Sequence, residues 1–197
     1  MFIRVINDWH LRGVNPHGSF QDLCNAIDYS LYPVVLNGDI FDFANCPYAD
    51  LPKLYQEALI ALDKLKKKNG YWILGNHECN ALQGVDELLI GHFILATHGD
   101  IPMWGKDRSD KFRKQKRGAG WFKRHIVSEV IDELRRFWTV RPNDRLVQWV
   151  KDAKLRYPEL KYVILGHSHP PSTVQFLESG VVGMILPRGV NDLNLVV

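Results

Sequence analysis

Apolar residues along the chain fall into short runs separated by longer stretches with helical spacing, and this alternation predicts an α/β domain. Residues 2–6 (FIRVI) read as a first strand, and Ser19 stands where it can cap a helix over residues 20–31. Residues 33–36 form a second strand. Asp50 and Pro52 then open a helix to about Lys68, in which Leu51, Leu54, Ala58, Leu62 and Leu65 recur at helical spacing before Gly70 stops it. Residues 71–74 give a third strand, and residues 87–90 with 93–97 a hairpin turning at Gly91. From 104 to 156 the pattern turns helical and charged. Ile126, Val130, Leu134 and Trp138 lie on one apolar face there, and Pro142 opens a further helix. Residues 162–165 return to strand. The tail predicts short antiparallel strands over 173–177, 181–186 and 193–197, with turns at 179–180 and 189–192.

Five of the apolar runs end alike. Ile6 is followed by Asn7-Asp8, Leu36 by Asn37-Gly38-Asp39, and Leu74 by Gly75-Asn76; Thr97 is followed at once by His98, and Leu165 by Gly166-His167. Ligands of α/β sheets gather at the carboxyl ends of strands, so these positions are expected to converge. Glycines at 38, 75 and 166 permit sharp turns and close approach of backbone to an ion. Asp8-Trp9-His10 and His167-Ser168-His169 each present two ligands two residues apart, Asp39 can bridge two cations, and Asn76 adds a neutral carbonyl. Imidazole and oxygen donors without thiolate suit Mn, Fe, Zn, Ni or Co better than an all-oxygen Ca or Mg cage. Two such ions about 3.5–4 Å apart can clamp a phosphoryl group and activate a bridging water for in-line attack. Each element alone has a plainer reading as a turn or a hydrogen-bonded histidine; the ordered set of five carries the argument. His17, His92 and His125 match no motif and are taken as structural.

Asp-x-His (Asp8 to His10), Gly-Asp-x-x-Asp (Gly38 to Asp42), Gly-Asn-His-Glu (Gly75 to Glu78), His-Gly (His98-Gly99) and Gly-His-x-His (Gly166 to His169) occur in the order found in calcineurin-like metallophosphoesterases, which the chain therefore resembles. The resemblance implies a four-layer α/β/β/α sandwich, one domain over residues 1–197, with a helical insertion, or lid, over 104–156. It implies two divalent metals, manganese foremost. Asp8, His10 and His169 resemble the ligands of one; Asn76, His98 and His167 resemble those of the other; Asp39 is shared. His77 resembles the non-ligand histidine that assists the leaving group. Asp42 and Asp100, one step from these ligands, are candidates for orienting them, and Arg12 for reaching substrate phosphate.

The substrate is less defined. Asp42 is followed by Phe43-Ala44, not by the Arg-Gly of the protein phosphatases of this superfamily. The segments around Asp39, His98 and His167 look like the UDP-2,3-diacylglucosamine pyrophosphatase branch, although His77 stands where its lipid A enzyme has arginine. A phosphodiester or phosphoanhydride follows as the expected substrate, with a phosphomonoesterase or nuclease as the alternative and a non-enzymatic metal-binding scaffold as a reading of a different class.

Charge sharpens this picture. The net charge is +3, yet residues 106–124 carry nine Lys/Arg against two Asp/Glu, so the rest of the chain is net acidic. Arg113, Lys114, Lys116 and Arg117, with aromatic residues interleaved, are candidates for an anion-binding lid that receives a nucleotide conjugate, a nucleic acid or a phospholipid headgroup. The opening MFIRVIND is not a secretory leader pattern. No apolar run reaches the roughly 20 residues of a membrane span, and three scattered cysteines suit a reducing compartment. A cytoplasmic location is therefore expected.

Overall fold

The computed structural model describes residues 1–13, 15–78, 82–115, 144–167, 172–176 and 178–195. Two sheets form its centre. The first has the order β3-β2-β1-β9, with β1 (Phe2–Asn7), β2 (Val34–Asn37) and β3 (Tyr71–Ile73) mutually parallel and β9 (Gly189–Asn194) antiparallel to β1. The second has the order β4-β5-β6-β8-β7. There β5 (Ile94–Thr97), β6 (Tyr162–Leu165) and β8 (Val181–Ile185) run parallel, flanked by antiparallel β4 (Glu87–Ile90) and β7 (Ser172–Phe176).

Side-chain alternation along these strands builds the layers. Ile3 and Val5 of β1, with Val35 and Ile73, pack between the sheets against Ile94, Ala96 and Ile164. Ile6 and Leu36 point the other way, onto helices α1 (Phe20–Asp28) and α2 (Leu51–Lys67) through Leu23, Ile27, Leu54, Ala58 and Leu65. On the far side Leu95, Val163 and Leu165 meet Leu146, Val150 and Ala153 of helix α5 (Asp144–Arg156). The order helix, sheet, sheet, helix is the four-layer sandwich expected from the sequence. Each fully buried Leu, Ile or Val contributes about 1.5–3 kcal/mol, so strand polarity and strand ends are strongly specified.

Ser19 caps α1 as expected: its Oγ accepts from the Asp22 amide at 3.1 Å, and the Asp22 carboxylate accepts from the Ser19 amide at 2.9 Å. The helix stops at Asp28, short of residue 31, because Ser30 Oγ bonds the amide and carbonyl of Tyr32 and turns the chain. The expected turn over 189–192 is a correction. Gly189 does turn (φ 100°), but residues 189–194 then pair with the whole of β1, and Arg4 forks onto Asp192 at 2.7 Å across the pair.

The helical stretch after His98 divides. Helices α3 (Asp100–Trp104) and α4 (Lys106–Gln115) follow directly, while α5 is the outer layer of the second sheet and so part of the framework. The apolar face over 126–138 and the opening at Pro142 lie outside the described residues.

Candidate metal centre

The parallel strands β1, β2, β3, β5 and β6 deliver their carboxyl ends to one place. Asp39 is its hub: Oδ2 lies 3.2 Å from His98 Nε2 and 3.9 Å from the Nε2 atoms of both His10 and His77. Donor atoms of Asp39, His98 and His167 fall within 4.8 Å of one another, as do those of His10, Asp39 and His77. Asp8 joins from β1, its Oδ1 3.9 Å from His10 Nε2 and its Oδ2 accepting from the His167 amide at 3.2 Å. Asn76 is buried, and its Oδ1 has no hydrogen-bond partner among the described residues. A buried carbonyl without a donor costs about 1–3 kcal/mol, and a cation ligated by it removes that cost. The donors therefore fit two divalent ions sharing Asp39. His169, expected to complete the first set, lies outside the described residues.

Backbone conformation marks the same residues independently. Of the six non-glycine residues with positive φ among those described, four are candidate ligands: Asp8 (50°), His10 (52°), Asp39 (51°) and His167 (65°). Left-handed backbone at such residues costs about 1–3 kcal/mol each and persists only where the surroundings enforce it. Here the enforcement is visible. The amides of Asp8, His10 and Leu11 donate to the carbonyls of Gly38, Asp39 and Ile40 at 2.8–3.1 Å, so the loops after β1 and β2 hold each other.

Glycine supplies the clearance. A Cβ on Gly38 would lie 2.4–2.5 Å from the His98 ring, and one on Gly166 would lie 2.2 Å from Asn7 Oδ1. Gly38→Ala should therefore lose more stability than Gly180→Ala, whose φ is also positive but whose Cβ would meet nothing within 4 Å. The control carries only the backbone cost, about 1–2 kcal/mol, and chemical denaturation of both variants reads the difference. Equal losses would mean that His98 does not press on Gly38.

Behind the ligands stands a layer of orienting groups. Asp42, nearly fully buried, holds His10 Nδ1 at 3.3 Å and His77 Nδ1 at 2.7 Å, turning both Nε2 atoms inward. Burial works against the Asp42 charge, but the imidazoles of His77 and His10 outweigh it and hold the carboxyl well below the usual range. Asp39 behaves likewise, burial being outweighed by His98, His77 and His10. The Asn37 carbonyl lies 3.1 Å from His98 Nδ1. Burial opposes protonation of His98, yet Asp39 and Asp8 raise its pKa well above that of a free imidazole.

Three further residues, none of them expected as a ligand, support the centre. Glu78 accepts from the amides of Gly75, Asp39, Ile40 and Phe41 at 2.5–3.1 Å, tying the β3 loop to the β2 loop. Burial and the Asp39 charge push its carboxyl up to about 7, against the lowering pull of His98 and the amides of Phe41 and Asp39. Its place three residues after Gly75 was the available signal. Arg188, which had no sequence signal, donates to the Asp8 carbonyl at 3.1 Å, and the ring of Trp104, an aromatic residue of the basic stretch, stands edge to face with His167 at 4.4 Å.

Two of the candidate substrate residues are engaged elsewhere. Arg12 forks onto Glu57, both bonds 2.6 Å. Arg113 is a correction: its side chain is only 2% exposed and bonds Asp86, Asp100 and two backbone carbonyls, so it faces protein and not solvent. Asp100, expected to orient a ligand, is buried and pairs with this arginine. Lys116 and Arg117, like the side chain of Lys114, lie outside the described residues.

A convergent, strained, imidazole-rich hub at the carboxyl ends of parallel strands defines a metallohydrolase class of site. The sequence profile of the calcineurin-like phosphoesterases matches residues 1–177, and the chain belongs to that family, as a metal-dependent phosphoesterase. No curated protein matches the chain by sequence. Solved structures similar to it include a mutant Vps29 from Entamoeba histolytica, 16% identical over 95% of this chain and 74% of that one, with a TM-score of 0.43. A dimetal phosphatase from Danio rerio is also 16% identical, over 95% of this chain and 87% of that one, with a TM-score of 0.47.

Proposed function

We propose that the chain hydrolyses a phosphodiester or phosphoanhydride bond at this centre. Asp8, His10 and His169 hold one divalent ion, Asn76, His98 and His167 the other, and Asp39 both. Manganese is the first candidate, with Fe, Zn, Ni and Co also suited to the donors. Bound, the ions supply Lewis-acid polarisation of a phosphoryl oxygen and an acidified water. The observation that carries the reading is Asp39 Oδ2 facing three imidazole Nε2 atoms within 3.9 Å.

This chain's own part in the reaction is positioning and proton transfer. Asp42 accepts from His77 Nδ1–H, which orients the ring so that its Nε2–H faces the centre and can protonate a departing oxygen. The grouping of His77 with His10 and Asp39 favours a second reading, in which His77 is itself a ligand. Leaving-group dependence separates the two, as set out in the Discussion.

Rates on an aryl diester, an aryl monoester and a nucleoside diphosphate conjugate test the bond type. The diester or the conjugate should be turned over faster than the monoester; preference for the monoester would replace this reading with a phosphomonoesterase. The conjugate also speaks to the resemblance with the UDP-2,3-diacylglucosamine pyrophosphatase branch.

The basic stretch is proposed to gather anionic substrate, now without Arg113. Replacing Lys114, Lys116 and Arg117 together by glutamine should raise KM for a large polyanion, leave a small aryl diester unaffected, and flatten the salt dependence, since exposed charges are screened over about 8–10 Å. Equal effects on both substrates would point to damaged folding instead. The described helices contain none long and apolar enough to cross a membrane. Cys24 and Cys46 are buried free thiols, which fits the proposed cytoplasmic setting.

A further inference from the structure

We infer that Arg113 is a positioning residue that sets the Asn76–His98 half of the centre from helix α4; the inference rests on the reading that Asn76 and His98 are ligands. Its guanidinium reaches two segments that sequence keeps apart. Nε donates to the Gly75 carbonyl at 3.0 Å and Nη2 to the Leu74 carbonyl at 3.1 Å, the two residues immediately before Asn76. Nη2 also meets Asp100 Oδ2 at 3.2 Å, two residues after His98, and Nη1 meets Asp86 Oδ1 at 2.7 Å, at the entrance to β4.

The Gly75 peptide is thereby gripped at both ends, its amide bound to Glu78 at 2.6 Å and its carbonyl to Arg113. Asp39 packs directly on Gly75, where a Cβ would lie 2.2 Å from the Asp39 Oδ1, so only glycine lets the two loops come this close. Asn76, the next residue, inherits this placement.

Electrostatics make the choice of arginine specific. Burial opposes the Arg113 charge, and Asp100 and Asp86 outweigh that opposition and raise its pKa. A planar fork serves two carbonyls and two carboxylates at once; an ammonium is a point charge and cannot match that geometry. The side chain therefore couples α4 to the second ligand set, so the first helices after His98 and the metal loop order together.

Arg113→Lys tests this without leaving the buried Asp100 facing no paired cation, Asp86 keeping Lys106 in either case. The first readout is Mn²⁺ titration of metal-stripped protein. One of two equivalents should weaken by roughly 10–100-fold, the range for losing a group that orients a ligand, while the other keeps its affinity. Asn76→Ala should weaken the same equivalent, and the double variant should lose no more than Asn76→Ala alone. A merely structural arginine would lower thermal stability and weaken both equivalents or neither, and that result, or additive losses in the double variant, would overturn the inference.

The second readout needs no metal. Amide hydrogen exchange in metal-free Arg113→Lys should quicken over residues 74–78 and 98–100 and stay unchanged in β1; unchanged exchange over 74–78 would overturn the inference. Asp100→Asn, which keeps the arginine and an accepting oxygen, should shift both readouts in the same direction and by less, and no shift in either would count against the inference. If the wild-type chain takes up no Mn²⁺, the metal reading fails by itself, and the exchange experiment still decides whether Arg113 positions the loop.

Discussion

Asp39→Asn is expected to empty the centre of metal and abolish turnover while leaving the fold intact. Among the described residues Asp39 is the only carboxylate that faces His98, His10 and His77 together, at 3.2, 3.9 and 3.9 Å. The amide substituted there keeps the shape and an oxygen that still accepts from the His77 amide, now at 2.7 Å. It removes the negative charge that would offset two divalent ions in a buried place. Loss of an orienting partner alone costs roughly 10–100-fold in metal affinity, so loss of the shared ligand should cost more. Metal content by mass spectrometry, read beside thermal unfolding, checks this. Full occupancy in the variant would show that the ions, if bound, do not share Asp39.

His77→Ala is expected to separate chemistry from metal binding. With Nδ1 anchored on Asp42 at 2.7 Å, the His77 ring is held in one orientation at the edge of the hub. As a proton donor it should contribute about 10²–10⁴ in kcat. The deficit should shrink for esters with acidic leaving groups, which depart without a proton, and metal content should stay near that of the wild type. A uniform loss across leaving groups together with metal depletion would make His77 a ligand, as its grouping with His10 and Asp39 allows. Asp42→Asn should give a milder leaving-group-dependent loss together with weaker metal binding, because Asp42 anchors both His77 and His10.

Strand ends were legible because one rule governs them: buried apolar runs end where the chain must turn, and five of these turns carry a proposed ligand. The parallel strands were accordingly read within a residue of their observed limits. Strand β9 was not, since Gly189-Val190-Asn191-Asp192 looks like a turn. Its pairing partner β1 lies at the other end of the chain, and its outward face is satisfied by Arg4 on Asp192.

Arg113 shows the same limit for a side chain. Local composition places it in a basic run, and what decides its role are Leu74, Gly75, Asp86 and Asp100, which only the folded sheet brings within reach. Glu78 was visible as a motif letter, but its four amide donors come from two loops that sequence separates by more than thirty residues. Positive φ at Asp8, His10, Asp39 and His167 is likewise a property of the assembled loops. Its coincidence with the ligand motifs is independent support for the site.

Anomalous scattering from crystals grown with Mn²⁺ shows directly whether Asp39 joins two ions. Two peaks about 3.5–4 Å apart are expected, one on each side of the Asp39 carboxylate, the first against Asp8 and His10 and the second against Asn76, His98 and His167. A single peak, or two peaks that leave Asp39 unligated, would contradict a shared centre.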